Sequence, residues 1–189
     1  MSVVRLATPA DGEALAAIYA PIVRETAISF EASPPSGEAM AARVEATLRT
    51  HPWLVAAREG AVVGYAYAGP HRRREAYRWA VETSVYVDAR ARRGGVARRL
   101  YEALLAQLAL LGYREALAGV TLPNEASVAF HESFGFEPVG IYRRVGFKRG
   151  AWHDVGWWQR PLGEVLGAPS EPRAPAALAG SAAWEATLG

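Results

Sequence analysis

Residues 80 to 111 constrain the fold more than any other stretch. An apolar run, Ala80 to Val87, passes through Asp88-Ala89-Arg90-Ala91-Arg92-Arg93-Gly94-Gly95 straight into the longest amphipathic segment of the chain. Val81, Val85, Tyr86 and Val87 give the run the β-branched and aromatic content of a strand. From Gly95 onward Val96, Leu100, Leu104, Leu108 and Leu111 share one helical stripe, Arg98, Glu102 and Gln107 lie off it, and Gly112 is placed to end the helix. Such a stripe must be buried against a sheet, so this strand–turn–helix unit predicts a layered α/β protein.

The remaining pattern supplies the other elements. Val3 to Ala7 reads as a strand, and Thr8-Pro9-Ala10-Asp11 opens a helix to about Tyr19. Met40, Val44 and Leu48 mark a second helix over residues 36–49. The apolar runs Trp53 to Arg58 and Ala61 to Ala68 flank Glu59-Gly60 as a tight hairpin ended by Gly69-Pro70. Glu115 to Val120 predicts a strand, Asn124 caps a helix to about Phe134, and Glu137 to Arg144 and Trp152 to Gln159 predict the last strands. One domain is expected over residues 1–165. Leu166 to Gly189 is rich in Ala and Pro with little periodicity and predicts a poorly ordered tail that carries no chemistry.

Composition narrows the chemistry. At 189 residues and 51% hydrophobic content the chain can bury one sizeable core, and disorder along its whole length is ruled out. Zero cysteines remove disulfides, Cys-ligated metals and thiol nucleophiles. There is no apolar stretch near the ~20 residues that span a bilayer, and Met1-Ser2-Val3-Val4-Arg5 lacks a signal-peptide run, so a soluble cytoplasmic protein is expected. His131-Glu132 has no second His at the spacing of a zinc helix and no metal is expected; G-x-S-x-G is also missing. The formal charge of +2 is carried by arginine, Lys148 being the single lysine, and guanidinium suits planar contacts with phosphate and carboxylate.

Those arginines cluster at Arg72 to Arg74 and at Arg90, Arg92, Arg93, Arg98 and Arg99. The second cluster, with Gly94 and Gly95 at a helix N-terminus, has the makings of an anion cradle: small residues admit backbone N–H groups and the helix adds partial positive charge. Neither the P-loop nor the G-x-G-x-x-G pattern is present. The plainer account is a solvated turn. Glu82 is the one charge in its apolar run; a carboxylate buried there resists ionisation and could take up a proton near neutral pH, or it could simply pair with an arginine. Asn124, Ser127 and His131 line one face of their helix and Ala126, Phe130 and Phe134 another, although Asn124 could be only a cap and His131 a surface residue. Trp152, Trp157 and Trp158 could stack on single-stranded nucleic acid, but packing in a core or dimer accounts for them better.

Arg92-x-x-Gly95-x-Ala97 after an apolar strand, followed by the Asn124 to Phe136 helix, resembles the paired motifs of the GNAT N-acetyltransferase superfamily. Residues 76–87, 122–127 and 145–156 narrow the resemblance to the phosphinothricin and methionine sulfoximine acetyltransferases, and the likeness runs from about Val3 to Gln159. It implies an α/β fold with a mixed, mostly antiparallel central sheet flanked by helices. It also implies acetyl-coenzyme A (acetyl-CoA) as cosubstrate, held by Val85, Tyr86, Val87, Arg92, Arg93, Gly94, Gly95, Val96, Ala97, Arg98, Asn124 and Ser127. Backbone N–H of Val85 or Val87 would polarise the acetyl carbonyl. Glu82 is then the general base for an α-amino group, and His131, where the wider superfamily commonly has tyrosine, the acid that protonates the leaving thiolate. Phe30, Arg72, Arg73, Arg74 and Tyr77 would surround a small amino-acid-like substrate together with Glu82. A homodimer is implied, with neither nucleic acid nor membrane as partner. The alternatives are acetylation of a peptide N-terminus or another amine, and a non-catalytic module that binds an acidic partner.

Overall fold

The computed structural model describes residues 2–164 and 167–188. Seven strands form one sheet: β1 (Val3–Leu6), β2 (Trp53–Arg58), β3 (Ala61–Pro70), β4 (Ala80–Val87), β5 (Glu115–Leu122), β6 (Glu137–Lys148) and β7 (Ala151–Pro161). Their order is β1-β2-β3-β4-β5-β7-β6, and every neighbouring pair is antiparallel except β4 and β5. The expected mixed, mostly antiparallel sheet with flanking helices is what the chain forms.

Strand alternation builds the two layers. On β2, Trp53 and Val55 turn toward α1 (Gly12–Glu25) and α2 (Gly37–Leu48), where Leu15, Met40 and Val44 meet them, while Leu54 and Ala56 face α3 (Val96–Leu111). Leu100, Leu104, Leu108 and Leu111 of the predicted stripe are fully buried, each contributing on the order of 1.5–3 kcal/mol of apolar burial. Gly112, with φ +97°, ends α3 in the left-handed conformation that glycine adopts without penalty.

Three boundaries differ from the pattern. Helix α1 runs past Pro21 to Glu25, because Ile22 and Val23 are buried and tertiary packing outweighs the proline. Strands β6 and β7 extend through residues 145–151 as one long hairpin. The third concerns the tail, whose described residues 167–188 are folded against α3. Trp184, on the short α5 (Ala182–Glu185), is 1% exposed within the α3 core cluster, and Trp79 Nε1 donates to Ser170 O at 2.8 Å. A few anchors in an Ala/Pro background leave no periodic trace, so order that comes from docking is missed by a pattern search. The expected boundary at 165/166 lies outside the described residues.

One irregularity positions the site. Strands β4 and β5 pair only over Ala80–Glu82 and Glu115–Leu117, although β4 continues to Val87 and β5 stays paired with β7 to Leu122. The sheet therefore splits beyond residue 82. Thr83 sits at the apex of the split: its hydroxyl meets Tyr101 Oη at 2.6 Å and donates to Leu117 O at 3.2 Å. Thr83→Val should lower the unfolding free energy by about 1–2 kcal/mol in urea denaturation, since it strands the buried Tyr101 hydroxyl and the Leu117 carbonyl. No change would mean the split does not depend on that bridge.

Candidate active site

The backbone of β4 defines one wall of the split. His71 N donates to Ala80 O and Asp88 N to Val63 O, so even-numbered residues of β4 direct their backbone groups at β3. By alternation Val85 and Val87 direct their N–H groups away from β3, at the open side where β5 has departed. Side chains alternate too: Val81 packs in the α3 core, whereas Glu82, Ser84 and Tyr86 lie on the opposite face. The half-buried Tyr86 ring packs against Tyr19 and Tyr65, with centroids 5.0 and 5.3 Å away.

Beyond β4 the chain forms a cradle. Arg93 (φ +62°) and Gly95 (φ +74°) are both left-handed, and Gly95 is the N-cap of α3 with no side chain to satisfy the first turn. Uncapped first-turn N–H groups of this kind favour an anion. A cavity of about 230 Å³ is lined by Val87, Arg92, Arg93, Gly95, Val96, Ala97, Arg98 and Phe130. Arg90 is held elsewhere: it forms an ion pair with Asp88 at 2.7 Å and, through these hydrogen bonds, lowers that carboxyl to about 2. Arg98 leans toward α4 (Glu125–Glu132), its guanidinium 5.0 Å from the Phe134 ring and Nη2 3.4 Å from Ser133 Oγ. The cradle, with its uncapped donors and Arg92 and Arg93, fits a diphosphate.

Between the cradle and Glu82 lies the cleft formed by the split, lined by Val85 and Tyr86 on one side and by Asn124, Ser127 and His131 on the other. Asn124 Oδ1 accepts from Ser127 N at 3.2 Å, so Asn124 does serve as the cap of α4. His131 is 6% exposed, not a surface residue, and is edge-on to Tyr101, Phe130 and Phe136. Burial pushes its imidazolium toward the neutral form, only partly opposed by the bond from Nδ1 to Ser127 O at 2.7 Å. A carbonyl can only accept, so in the neutral ring the proton is on Nδ1 and Nε2 keeps its lone pair.

The Glu82 pocket adjoins this cleft through Ile28, Thr83, Ser84, Gly119 and Thr121, which line both. Its volume is about 310 Å³, and Phe30, Tyr142, Val145 and Trp157 form its apolar walls. Phe30 is seated over Gly146, where a Cβ would overlap its ring. Its loop is pinned by Lys148, whose Nζ donates to Val23 O at 2.7 Å and Ser29 O at 2.6 Å. Two expectations for Glu82 are corrected. The side chain is not buried but 40% exposed, because the helical layer stops short of this end of β4, and its partner is His71 Nδ1 at 2.9 Å, not an arginine.

The arginines of the 72–74 loop are placed unevenly. Arg72 Nη2 reaches Tyr142 Oη at 3.4 Å, at the rim of the pocket. All three arginines line a separate cleft with His51, Tyr113 and the C-terminal segment, and of the three it is Arg72 that also reaches a residue of the Glu82 pocket, so the structure does not bring Arg74 to Glu82. That loop turns through a short helical segment at Glu75–Tyr77 which carries its side chains outward. Tyr77 stands one ring back, edge-on to His71 at 5.9 Å. Trp157 and Tyr142, absent from the sequence expectation, come in through the pairing of β7 with β5 and β6, a register that no local pattern encodes.

The chain matches the acetyltransferase (GNAT) domain family over residues 4–157. It is 40% identical to the phosphinothricin N-acetyltransferase of Streptomyces viridochromogenes over 172 residues, 91% of this chain and 93% of that one. Identity to the L-methionine sulfoximine/L-methionine sulfone acetyltransferase of Salmonella typhimurium is 33%, covering 85% of this chain and 95% of the relative. Among solved structures, the GNAT superfamily phosphinothricin acetyltransferase of Sinorhizobium meliloti in complex with acetyl-CoA superposes with a TM-score of 0.86 at 37% identity, over 92% of this chain and 96% of that one.

Proposed function

The chain belongs to the GNAT acetyltransferase family, with acetyl-CoA as its cosubstrate, and from that premise we propose that it acetylates the α-amino group of a small amino-acid-like substrate of the phosphinothricin or methionine sulfoximine type. The observation that carries this reading is the adjacency of two spaces at the split in the sheet. A cleft edged by the backbone of Val85 opens, past Thr83 and Ser84, into a small pocket whose one carboxylate is Glu82.

Acetyl-CoA supplies an activated thioester carbonyl. Arg92, Arg93 and the first-turn N–H groups of α3 would hold its diphosphate, with Gly94 and Gly95 allowing close approach. The Val85 or Val87 N–H would stabilise negative charge developing on the carbonyl oxygen. An α-amine near neutral pH is largely protonated, and Glu82, directly or through water, takes the proton that blocks attack. His131 enters neutral, so it can protonate the departing sulfur only after receiving a proton. Its Nε2 lone pair takes the second proton from nitrogen as the C–N bond forms, then returns it as the C–S bond breaks. The products are the amide and the free thiol. With no cysteine in the chain, transfer is direct.

The apolar walls at Phe30 and Trp157 would receive the substrate's side chain, and Arg72 at the rim its carboxylate. Val139, Ile141, Val145, Phe147 and Trp152 are exposed on the β6–β7 hairpin beside this pocket, which supports a homodimer closing over it. No helix among the described residues is long and apolar enough to cross a membrane.

Thiol release from acetyl-CoA, followed across phosphinothricin, methionine sulfoximine, ordinary L-amino acids and a short peptide, tests the reading. The first two should give kcat/KM at least ~10-fold above the peptide, because a peptide has no free α-carboxylate to meet Arg72 at the rim. Preference for the peptide would overturn the assignment of substrate.

A further inference from the structure

We propose that His71 is the positioning residue for Glu82, an inference that rests on the reading of Glu82 as the base. The backbone brings the two together: the β3–β4 register sets Gly69 opposite Glu82 and Pro70 opposite Val81, and His71 N donates to Ala80 O one step further. Residues 71 and 82 are therefore diagonal neighbours on one face of the sheet, within reach of long side chains. The side chains complete the contact with the Nδ1 to Oε1 bond at 2.9 Å.

Three features make this more than a surface pair. First, the imidazole is sheltered, its side chain 13% exposed against 40% for Glu82. Second, its plane is fixed from two directions, by Tyr77 at 5.9 Å and 72° and by Trp157 at 5.8 Å and 75°. Trp157 is also a wall of the Glu82 pocket, so the clamp that orients the imidazole is continuous with the substrate space. Third, the bond engages Oε1, and no hydrogen-bond partner of Oε2 lies among the described residues.

A glutamate has three side-chain torsions to order, and a base that must meet an incoming ammonium gains by having them set beforehand. With Nδ1–H donating to Oε1, the carboxylate is held in one orientation and Oε2 is left for the amine. His71 touches neither substrate nor thioester in this scheme. It acts through Glu82.

The test compares His71→Leu, which fills similar space without a donor, with His71→Asn, whose amide N–H can occupy the position of Nδ1. Steady-state kinetics on the full chain, acetyl-CoA binding by calorimetry and thermal unfolding would be measured for both, and again with Glu82→Gln present. His71→Leu should lower kcat by about 10-fold or more, consistent with the cost of misplacing a catalytic group. Its acetyl-CoA affinity should be unchanged, His71→Asn should recover most of the turnover, and in the Glu82→Gln background His71→Leu should cost nothing further. Equal behaviour of the Leu and Asn variants, or additive losses with Glu82→Gln, would overturn the role of His71 while leaving the acetyltransferase reading intact. A wild-type chain with no turnover on any amine would remove both.

Discussion

Glu82→Gln should lower kcat for amine acetylation by about 10²–10⁴-fold while acetyl-CoA binds as tightly as before. The substitution keeps the shape of the side chain and can still bond to His71, so the geometry of the pocket survives. What it removes is the capacity to accept a proton, and an amine that stays protonated has no lone pair with which to attack. The position supports so specific an effect because Glu82 is the last residue of β4 paired with β5, while the groups that would hold the diphosphate lie on the far side of Val87. Raising the pH toward the amine's own pKa should return part of the lost rate, since unprotonated substrate then arrives without help. A variant that retains wild-type turnover at neutral pH would take Glu82 out of the proton path.

Gly95→Val should weaken acetyl-CoA binding by about 100-fold, equivalent to losing one or two charge-assisted hydrogen bonds. Gly95 has φ +74°, and a β-branched residue is strained there whatever the space around it. Nothing lies within 4 Å of where its Cβ would be, so the free chain meets no clash and should remain folded. The added side chain enters the space through which a phosphate would reach the N–H groups of the first turn of α3. At saturating acetyl-CoA, kcat should return to near the wild-type value, because Glu82 and His131 are untouched. Equilibrium dialysis with the folded variant checks this; an unchanged dissociation constant would place the diphosphate somewhere else.

These two positions were legible in the sequence for different reasons. Gly95 stands where a strand, an arginine-rich turn and a helical stripe follow one another, so local pattern alone marks it. Glu82 is conspicuous as the single charge in an apolar strand. What the sequence does not reveal is why that charge is tolerated. The odd-numbered side chains of β4 pack under α3; on the other face Tyr86 packs on Tyr19 of α1, while Glu82 and Ser84 share a pocket with Ile28 and Phe30 of the loop between α1 and α2. The partner of Glu82 was hidden for the same reason: pairing with His71 depends on β3–β4 register, and an arginine-rich loop beside it is the more obvious candidate.

His131 shows the limit from another side. Its helical spacing from Asn124 and Ser127 places it on the cleft, as it is, but protonation follows from burial among three aromatic rings and a bond to the Ser127 carbonyl, and spacing encodes neither. The tail was misjudged through a related gap. Trp184 and a few scattered bonds, such as Trp79 Nε1 to Ser170 O and Arg173 N to Leu111 O, anchor a segment whose composition otherwise suggests disorder, and isolated anchors have no period. The split between β4 and β5 is likewise a property of two strands distant in sequence, and no reading of the sequence contains it.

Calorimetric titration of acetyl-CoA into the purified wild-type chain tests the central claim most directly, since every step above needs the thioester lodged between β4 and α4. The account predicts saturable binding with one molecule per chain, abolished or strongly weakened when Arg92 and Arg93 are both replaced by alanine. Absence of heat at millimolar cofactor, or binding indifferent to that double replacement, would contradict it.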